Sequence, residues 1–157
     1  MNRNITTAAR LREVLLNGHW IAGTNYKTLL HDVDWQMATR TTNQLNSIAA
    51  LTFHVNYYLA GLLHAFKTGE LTIKDAFSFD VPDIQNASDW EMLRDSFLQN
   101  AELFVQVVEQ MDDALFDKPF VDEQYGTYQR NMEGVIEHSY YHLGQISLLK
   151  KIFLTQL

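Results

Sequence analysis

Two histidines near the end of the chain, His138 and His142, have a spacing that suits a metal ion. On an α-helix a step of four residues turns the side chain by about 40° and rises about 6 Å, so both imidazoles can reach one ion. A third histidine, His54, lies in a second apolar segment, one turn before Tyr58. Three neutral imidazoles can hold Zn²⁺ or Ni²⁺ and leave a coordination position open. The pattern therefore predicts a divalent-metal site on His54, His138 and His142.

The neighbours of His138 favour this interpretation over a chance pair of histidines. Most positions within about 60° of it on a helix are apolar, among them Val135, Leu149 and Phe153, so the two imidazoles are expected to face the core. Buried imidazoles with nothing to bind would leave nitrogens unsatisfied, at about 1–3 kcal/mol each. The alternative, that these are hydrogen-bonded core residues, stays open at this point.

Four more side chains are candidates to surround the ion: Gln145, Tyr57, Tyr58 and Tyr141. Gln145 follows His142 by nearly one turn, so its amide could bond a metal-bound water, a substrate or the backbone of a neighbouring helix. Tyr58 follows His54 by one turn and could donate to an oxyanion or only pack. The sequence offers no obvious catalytic carboxylate beside the histidines.

Composition excludes other chemistries. The 157 residues, 46% of them apolar, are predicted to form a single domain over 1–157. Cysteine is absent, so a thiolate ligand or a cysteine nucleophile is excluded, and any thiol must come with a substrate. The net charge of −7 is spread along the chain without a basic cluster, so nucleic acid is not expected as a partner.

The sequence gives no signal for a membrane. The first residues lack the apolar run of a secretion signal, and no apolar stretch approaches the roughly 18 residues that a membrane span needs. A cytoplasmic protein without membrane contact is expected.

Apolar periodicity and stop signals predict an all-α four-helix bundle. The first helix ends at Gly18, the second ends before Gly69, and the third opens with a capping box at Ser88 and Glu91. A short helix is expected at 26–31, and the loop at 71–87 is expected to cover one end of the core. The apolar stripe of the first helix covers 8–15, before the stop at Asn17-Gly18. The second helix is predicted from Asn46 or Ser47, either of which could cap it, to Lys67, and the other two ranges are about 88–112 and 131–153.

These residues resemble the DinB/YfiT-like superfamily of metal-binding four-helix bundles. The resemblance lies in His54 and in His138-x-x-x-His142 followed by x-Gly144-Gln145-Ile146, within an acidic chain that lacks cysteine. Many members have Arg where this chain has Leu143, a difference that affects no ligand. The resemblance implies an up-down-down-up topology, frequent dimerisation, and a divalent ion held by the three histidines with water completing its coordination.

Characterised relatives in that superfamily include thiol S-transferases that use bacillithiol or mycothiol, a thiol-dependent isomerase and proteins assigned as hydrolases. The first functional hypothesis is therefore a metal-dependent enzyme, a thiol S-transferase or a hydrolase, that acts on a small molecule through a metal-bound thiolate or water. A low-molecular-weight thiol is its expected second partner. A ferritin-like di-iron protein is excluded because the chain has no Glu-x-x-His repeats.

The second hypothesis is a non-catalytic, metal-binding dimeric bundle with a stress-response or small-molecule-binding role. A pocket beside an open ion would favour the enzyme, whereas a sealed site with a fourth protein ligand would favour this alternative. A homodimer is expected under both hypotheses. The expectation rests partly on the resemblance and partly on Phe66, Trp90 and Phe97, which are predicted to face outward.

Overall fold

This computed structural model describes residues 2–155. Within that range, apolar stripes and polar caps define six α-helices. Between them lie short 3₁₀ turns and irregular loops, and the described part contains no β-strand beyond a single bridge between Pro119 and Thr127. The predicted all-α class is therefore confirmed. The helices are α1 (Arg3–Arg12), α2 (Tyr26–Leu30), α3 (Trp35–Thr39), α4 (Ile48–Thr68), α5 (Ala87–Gln110) and α6 (Tyr128–Thr155).

The four longer helices pack around one core. α5 lies against α1 and α4, and α6 lies against the same two helices, so each of the four has two neighbours. Two short helices add to this set. α3 was not predicted, because Ala38 is its one fully buried residue and it shows no apolar stripe, although Asp34 caps it by accepting a hydrogen bond from the Met37 amide. The largest fully buried side chains are Trp90, Tyr26, Phe97, Phe104, Phe116, Phe120 and Phe153.

Local signals set the bounds of α4, the helix that carries His54. The Ser47 hydroxyl accepts a hydrogen bond from the Ala50 amide at 3.1 Å, and Gly69 ends the helix in the left-handed conformation with φ 77°. Gly69 ends the helix as predicted, and Ser47 is one of the two caps that the sequence allowed, the other being Asn46. Ser47 and Gly69 fix where the helix begins and ends, and so place His54 in its second turn.

α1 begins earlier and ends differently than predicted. A distant segment of the chain stabilises its start: the Arg3 amide donates to the Asp113 carboxylate at 2.6 Å, and the Arg3 guanidinium pairs with Asp117. A π-helical turn, Glu13–Asn17, follows α1, and the chain leaves it at Gly18 as predicted. Gly18 is extended there rather than left-handed, and a Cβ at this position would collide with Glu13. Close backbone approach, not a positive φ, is the reason for this glycine.

The predicted capping box at Ser88 and Glu91 is wrong. Asn86 is the cap, and its side chain accepts from the Asp89 amide at 3.1 Å. The Asp89 carboxylate in turn accepts at 2.9 Å from the amide of Gln85, the residue before the cap, so a related reciprocal arrangement takes the place of a capping box. α6 likewise begins earlier than predicted, at Tyr128, where the Thr127 hydroxyl accepts from the Arg130 amide at 3.2 Å.

The aromatic residues that were predicted to face outward lie inside. Trp90 is 1% exposed and donates through Nε1 to the Val33 carbonyl at 2.7 Å, and Phe97 is fully buried against Tyr26. Phe66 packs against Phe104 and further aromatic rings. The short helices and their connections cover faces that a bundle of four helices would leave open. The homodimer stays a prediction, but these three residues no longer support it.

The loop between α4 and α5 lies against the same end of α4 as His54. The Tyr57 hydroxyl fastens it, since it lies 3.0 Å from both the amide and the carbonyl oxygen of Lys74 and can bond both. Gly61 lets the loop come close, because a Cβ there would collide with the Ile73 side chain. None of the helices within residues 2–155 combines the length and apolarity of a membrane span.

Candidate metal centre

The structure brings the three predicted histidines together. One potential ligand nitrogen from each of His54, His138 and His142 lies within 4.8 Å of the other two. α4 supplies the first and α6 supplies the other two from successive turns. His54 is 7% and His142 6% exposed, while His138 is half-buried. Within residues 2–155, the candidate ligands at this place are these three side chains.

Two hydrogen bonds settle which ring nitrogens face the centre of the cluster. His54 Nδ1 lies 3.2 Å from the Ser78 carbonyl oxygen, and His142 Nδ1 lies 2.6 Å from Oε1 of Gln145. Because both oxygens can only accept, each Nδ1 carries the proton, and each Nε2 of these neutral rings keeps its lone pair. Hydrogen bonding of the second ring nitrogen is the usual way in which a protein orients a ligating histidine.

One of the distances between the candidate ligand nitrogens is already short enough for a shared divalent ion. Nε2 of His54 lies 3.0 Å from Nε2 of His138. Two nitrogens that each bond the same ion at about 2.0–2.1 Å are roughly 2.9–3.4 Å apart for bond angles between a right angle and tetrahedral. The two rings therefore already stand at a ligating separation. A donor set of three imidazoles suits Zn²⁺, Ni²⁺ and related ions better than Mg²⁺ or Ca²⁺, which prefer oxygen.

Burial keeps the three imidazoles neutral. It lowers the pKa of His138 to about 4, with a further contribution from the charges that His142 and His54 would carry. Burial is also the main reason why the pKa values of His54 and His142 lie below the ordinary value. At neutral pH all three rings are therefore unprotonated at one nitrogen, and this is the form that binds metal.

Of the four residues that were predicted to surround the ion, three contact the histidines and the hydroxyl of the fourth, Tyr57, bonds elsewhere. Gln145 bonds His142 directly, rather than a neighbouring helix backbone. The Tyr58 ring packs nearly perpendicular to the rings of His54 and His138, with centroids 5.1 and 5.2 Å away. The Tyr57 hydroxyl bonds Lys74 instead of pointing at the histidines. Tyr141 is an exposed residue whose ring contacts His142 from outside, at 4.8 Å.

Three residues of the loop between α4 and α5 belong to the site and were not predicted as part of it. Phe79 stacks on the His54 imidazole with centroids 4.0 Å apart and an angle of 11° between the planes. Ser78 supplies the carbonyl oxygen for His54, and the Asp75 carboxylate accepts from the Tyr58 hydroxyl at 2.9 Å. The apolar 77–81 segment was predicted only to cover the core, and nothing in its sequence marks a contact with a histidine.

A cavity of about 650 Å³ opens beside the cluster. His138, Tyr58 and Asp75 line one part of it. Its remaining lining combines an apolar wall with a few polar side chains, the composition typical of small-molecule sites. Those further residues are Leu62, Leu71, Ile73, Lys74, Phe120, Tyr125, Arg130, Asn131, Gly134 and Val135.

The fold and the three-histidine cluster define a class of helical protein with a candidate metal centre. The family model of the DinB superfamily matches residues 25–146, a range that includes all three histidines. The chain belongs to the DinB superfamily. Neither the curated proteins nor the solved structures gave a match to this chain.

Proposed function

We propose that this protein binds one divalent ion, zinc or nickel, on His54, His138 and His142 and uses it to catalyse a reaction of a small molecule. The reaction class that we propose is thiol S-transfer or hydrolysis. One observation carries the proposal: three imidazole nitrogens within 4.8 Å of one another adjoin a cavity through His138. We also propose that the four longer helices have the up-down-down-up topology typical of the superfamily.

The chain's own residues would prepare the site in three ways. Ser78 and Gln145 hold the rings of His54 and His142 with their lone pairs toward the centre. Phe79 and Tyr58 limit the access of water to the rings. Burial keeps the ligands unprotonated. A divalent ion held there would act as a Lewis acid that activates water or a thiol at neutral pH.

The Tyr58 and Asp75 pair supplies a polar group at the border between the cluster and the cavity. The hydroxyl donates to the carboxylate at 2.9 Å, and both residues line the cavity. Burial is the main cause that raises the pKa of Tyr58, so this phenol stays protonated at neutral pH. With its one hydrogen directed at Asp75, the hydroxyl oxygen can accept a hydrogen bond from a substrate, and Asp75 holds it in this orientation. A covalent intermediate on the protein is not part of this proposal, since the chain has no cysteine.

A second candidate is the non-catalytic, metal-binding dimer. The observation in its favour is a pair of exposed apolar residues, Trp20 and Ile21, which are 89% and 65% exposed in the connection after the π-helical turn. Such side chains are common at interfaces between subunits. The cavity beside His138 argues against a sealed structural site, but it suits a small-molecule-binding site as well as a catalytic one, so turnover decides between them.

Metal analysis of the protein purified without a histidine tag tests the proposal. We expect one divalent ion per chain in the wild type and none in His142→Ala. His64→Ala is the matched control, because His64 is exposed on the helix that carries His54. Far-UV circular dichroism of both variants should match the wild type. Failure of the wild-type protein to bind zinc or nickel after reconstitution would contradict the proposal in both of its forms.

Turnover then separates the enzyme from the non-catalytic dimer. A panel of electrophilic small molecules is offered with a low-molecular-weight thiol or with water alone. Activity that disappears on chelation and returns with added metal supports the enzyme. Stoichiometric metal without turnover on any member of the panel supports the second candidate.

A further inference from the structure

Part of the lining of the cavity beside the metal centre follows the α6 helix. Arg130, Gly134 and His138 all line it, and they are four residues apart on that helix. Eight residues of α-helix rise about 12 Å, so Arg130 lies at the end of the cavity farther from the histidines. Gly134 lies between them, and a Cβ at that position would meet no atom within 4 Å. A molecule that reaches from His138 to Arg130 therefore lies along this helix.

The charge of the cavity differs from the charge of the protein. The chain carries 19 acidic and 12 basic residues, but the cavity is lined by two cations, Lys74 and Arg130, and by one carboxylate, Asp75. At the end of the cavity near the histidines, the Asp75 carboxylate already accepts a hydrogen bond from the Tyr58 hydroxyl. Cations therefore outnumber carboxylates among the residues that line the cavity, and this balance favours an anionic ligand.

Arg130 begins beside the turn at Gly126 and has free N–H donors on its guanidinium. A Cβ on Gly126 would lie 3.8 Å from the Arg130 Cβ, so the base of the side chain packs over this turn. Arg130 Nη1 pairs with Glu137 at 3.1 Å, but both side chains are more than half exposed, which makes the pair weak. The guanidinium has five N–H donors, so it can bind a carboxylate or a phosphate in a bidentate manner while it keeps this contact.

We propose that the molecule acted on at the metal centre has an apolar body and an anionic group at its far end, and that Arg130 binds this group. The inference rests on the proposed function, since it names the substrate class of that site. The apolar wall of Leu62, Leu71 and Val135 contacts the body. Carboxylate and phosphate share the required chemistry, and the experiment separates them.

Binding of three probes to the 157-residue chain tests the proposal. They are 6-phenylhexanoate, 6-phenylhexyl phosphate and the uncharged 6-phenylhexan-1-ol, measured by calorimetry or ligand-detected NMR. We expect at least one anion to bind about 10-fold more tightly than the alcohol, the effect of one charge-assisted hydrogen bond. The difference should shrink with added salt. Equal affinity for all three probes, or binding of none, would overturn the proposal.

Arg130→Gln should remove the preference for the anion and leave the affinity for the alcohol unchanged. Arg10→Gln is the matched control, because Arg10 is exposed on α1 and does not line the cavity. Gly134→Leu should weaken the binding of all three probes, since the leucine side chain fills part of the cavity. The helix itself should stay formed, because leucine favours a helix more than glycine does. Gly144→Leu is the control for that change, because a Cβ there also meets open space. An anion preference that survives in Arg130→Gln would refute the role of Arg130.

These measurements separate failure of the inference from failure of the proposed function. His142 does not line the cavity, so His142→Ala should lose the metal and keep the probe preference. If the wild type binds metal but shows no anion preference, the inference is wrong and the metal centre stands. If the anion preference is present but no metal binds, the proposed function is wrong.

Discussion

Replacing Gln145 by leucine tests whether the environment of His142 matters for metal binding. The Gln145 side chain accepts from His142 Nδ1 at 2.6 Å, while His142 itself is 6% exposed. Leucine has a similar size but cannot accept. The imidazole would then lose the bond that holds its proton on Nδ1, and its N–H would stay in a largely buried position without this partner.

The structure allows an estimate of the effect. Loss of a hydrogen bond to the second nitrogen of a ligating histidine weakens metal affinity by about 10–100-fold. That range corresponds to roughly 1.4–2.8 kcal/mol of binding free energy. The short distance and the low exposure of His142 favour the upper half of it. Gln145→Glu keeps an acceptor at the same place, so its affinity should equal or exceed that of the wild type.

Competition for zinc against a chromophoric chelator measures the effect. Gln106→Leu is the control, since Gln106 is exposed on α5. We expect Gln145→Leu to lose affinity, and Gln145→Glu and Gln106→Leu to keep it. If Gln145→Leu binds zinc within twofold of the wild type, the hydrogen bond does not orient the ligand, and the argument that Gln145 prepares the site is wrong.

Three further outcomes are expected. Trp90→Phe should lower the free energy of unfolding by about 1–3 kcal/mol, because the buried Val33 carbonyl loses the hydrogen bond from the indole N–H at 2.7 Å. Urea titration measures this free energy, and an unchanged midpoint would contradict the prediction. In the metal-free protein, His138 has a native pKa of about 4, whereas in the unfolded chain its pKa is about 6.5. The unfolded chain therefore binds more protons between these two pH values, so the free energy of unfolding should fall as the pH drops from about 6.5 to about 4. Urea titrations at pH 7 and 5 test this, and His138→Leu should reduce the difference. Phe79→Ala should speed the release of zinc to excess chelator, since it removes the ring stacked on His54, and stopped-flow absorbance measures that rate; a rate equal to the wild type would show that Phe79 does not shield the site.

Sequence reasoning worked where the cause lies within a few residues. The caps of α4 at Ser47 and Gly69 are local, and the spacing of His138 and His142 on one face follows from helix geometry alone. The cap of α5 was misplaced because Asn86 and Ser88 both carry an acceptor, and only the backbone conformation decides between them.

Other features depend on contacts between distant segments. The start of α1 is held by Asp113 and Asp117, more than a hundred residues away. Trp90 is buried because Val33, in the connection between α2 and α3, offers its carbonyl. The stacking of Phe79 on His54 depends on how the loop between α4 and α5 folds back. Periodicity describes one helix at a time and carries no information on such contacts.

The carbonyl oxygen of Ser78 has a consequence for how the site can change by mutation. His54 takes its orientation from this main-chain atom, whereas His142 depends on the side chain of Gln145. Any amino acid at position 78 still provides a carbonyl, but most single substitutions at position 145 remove the acceptor. The two histidines therefore differ in evolutionary robustness. Within the lineage of this protein, drift in metal affinity would begin at the α6 end of the site, while the α4 end stays protected by the backbone itself.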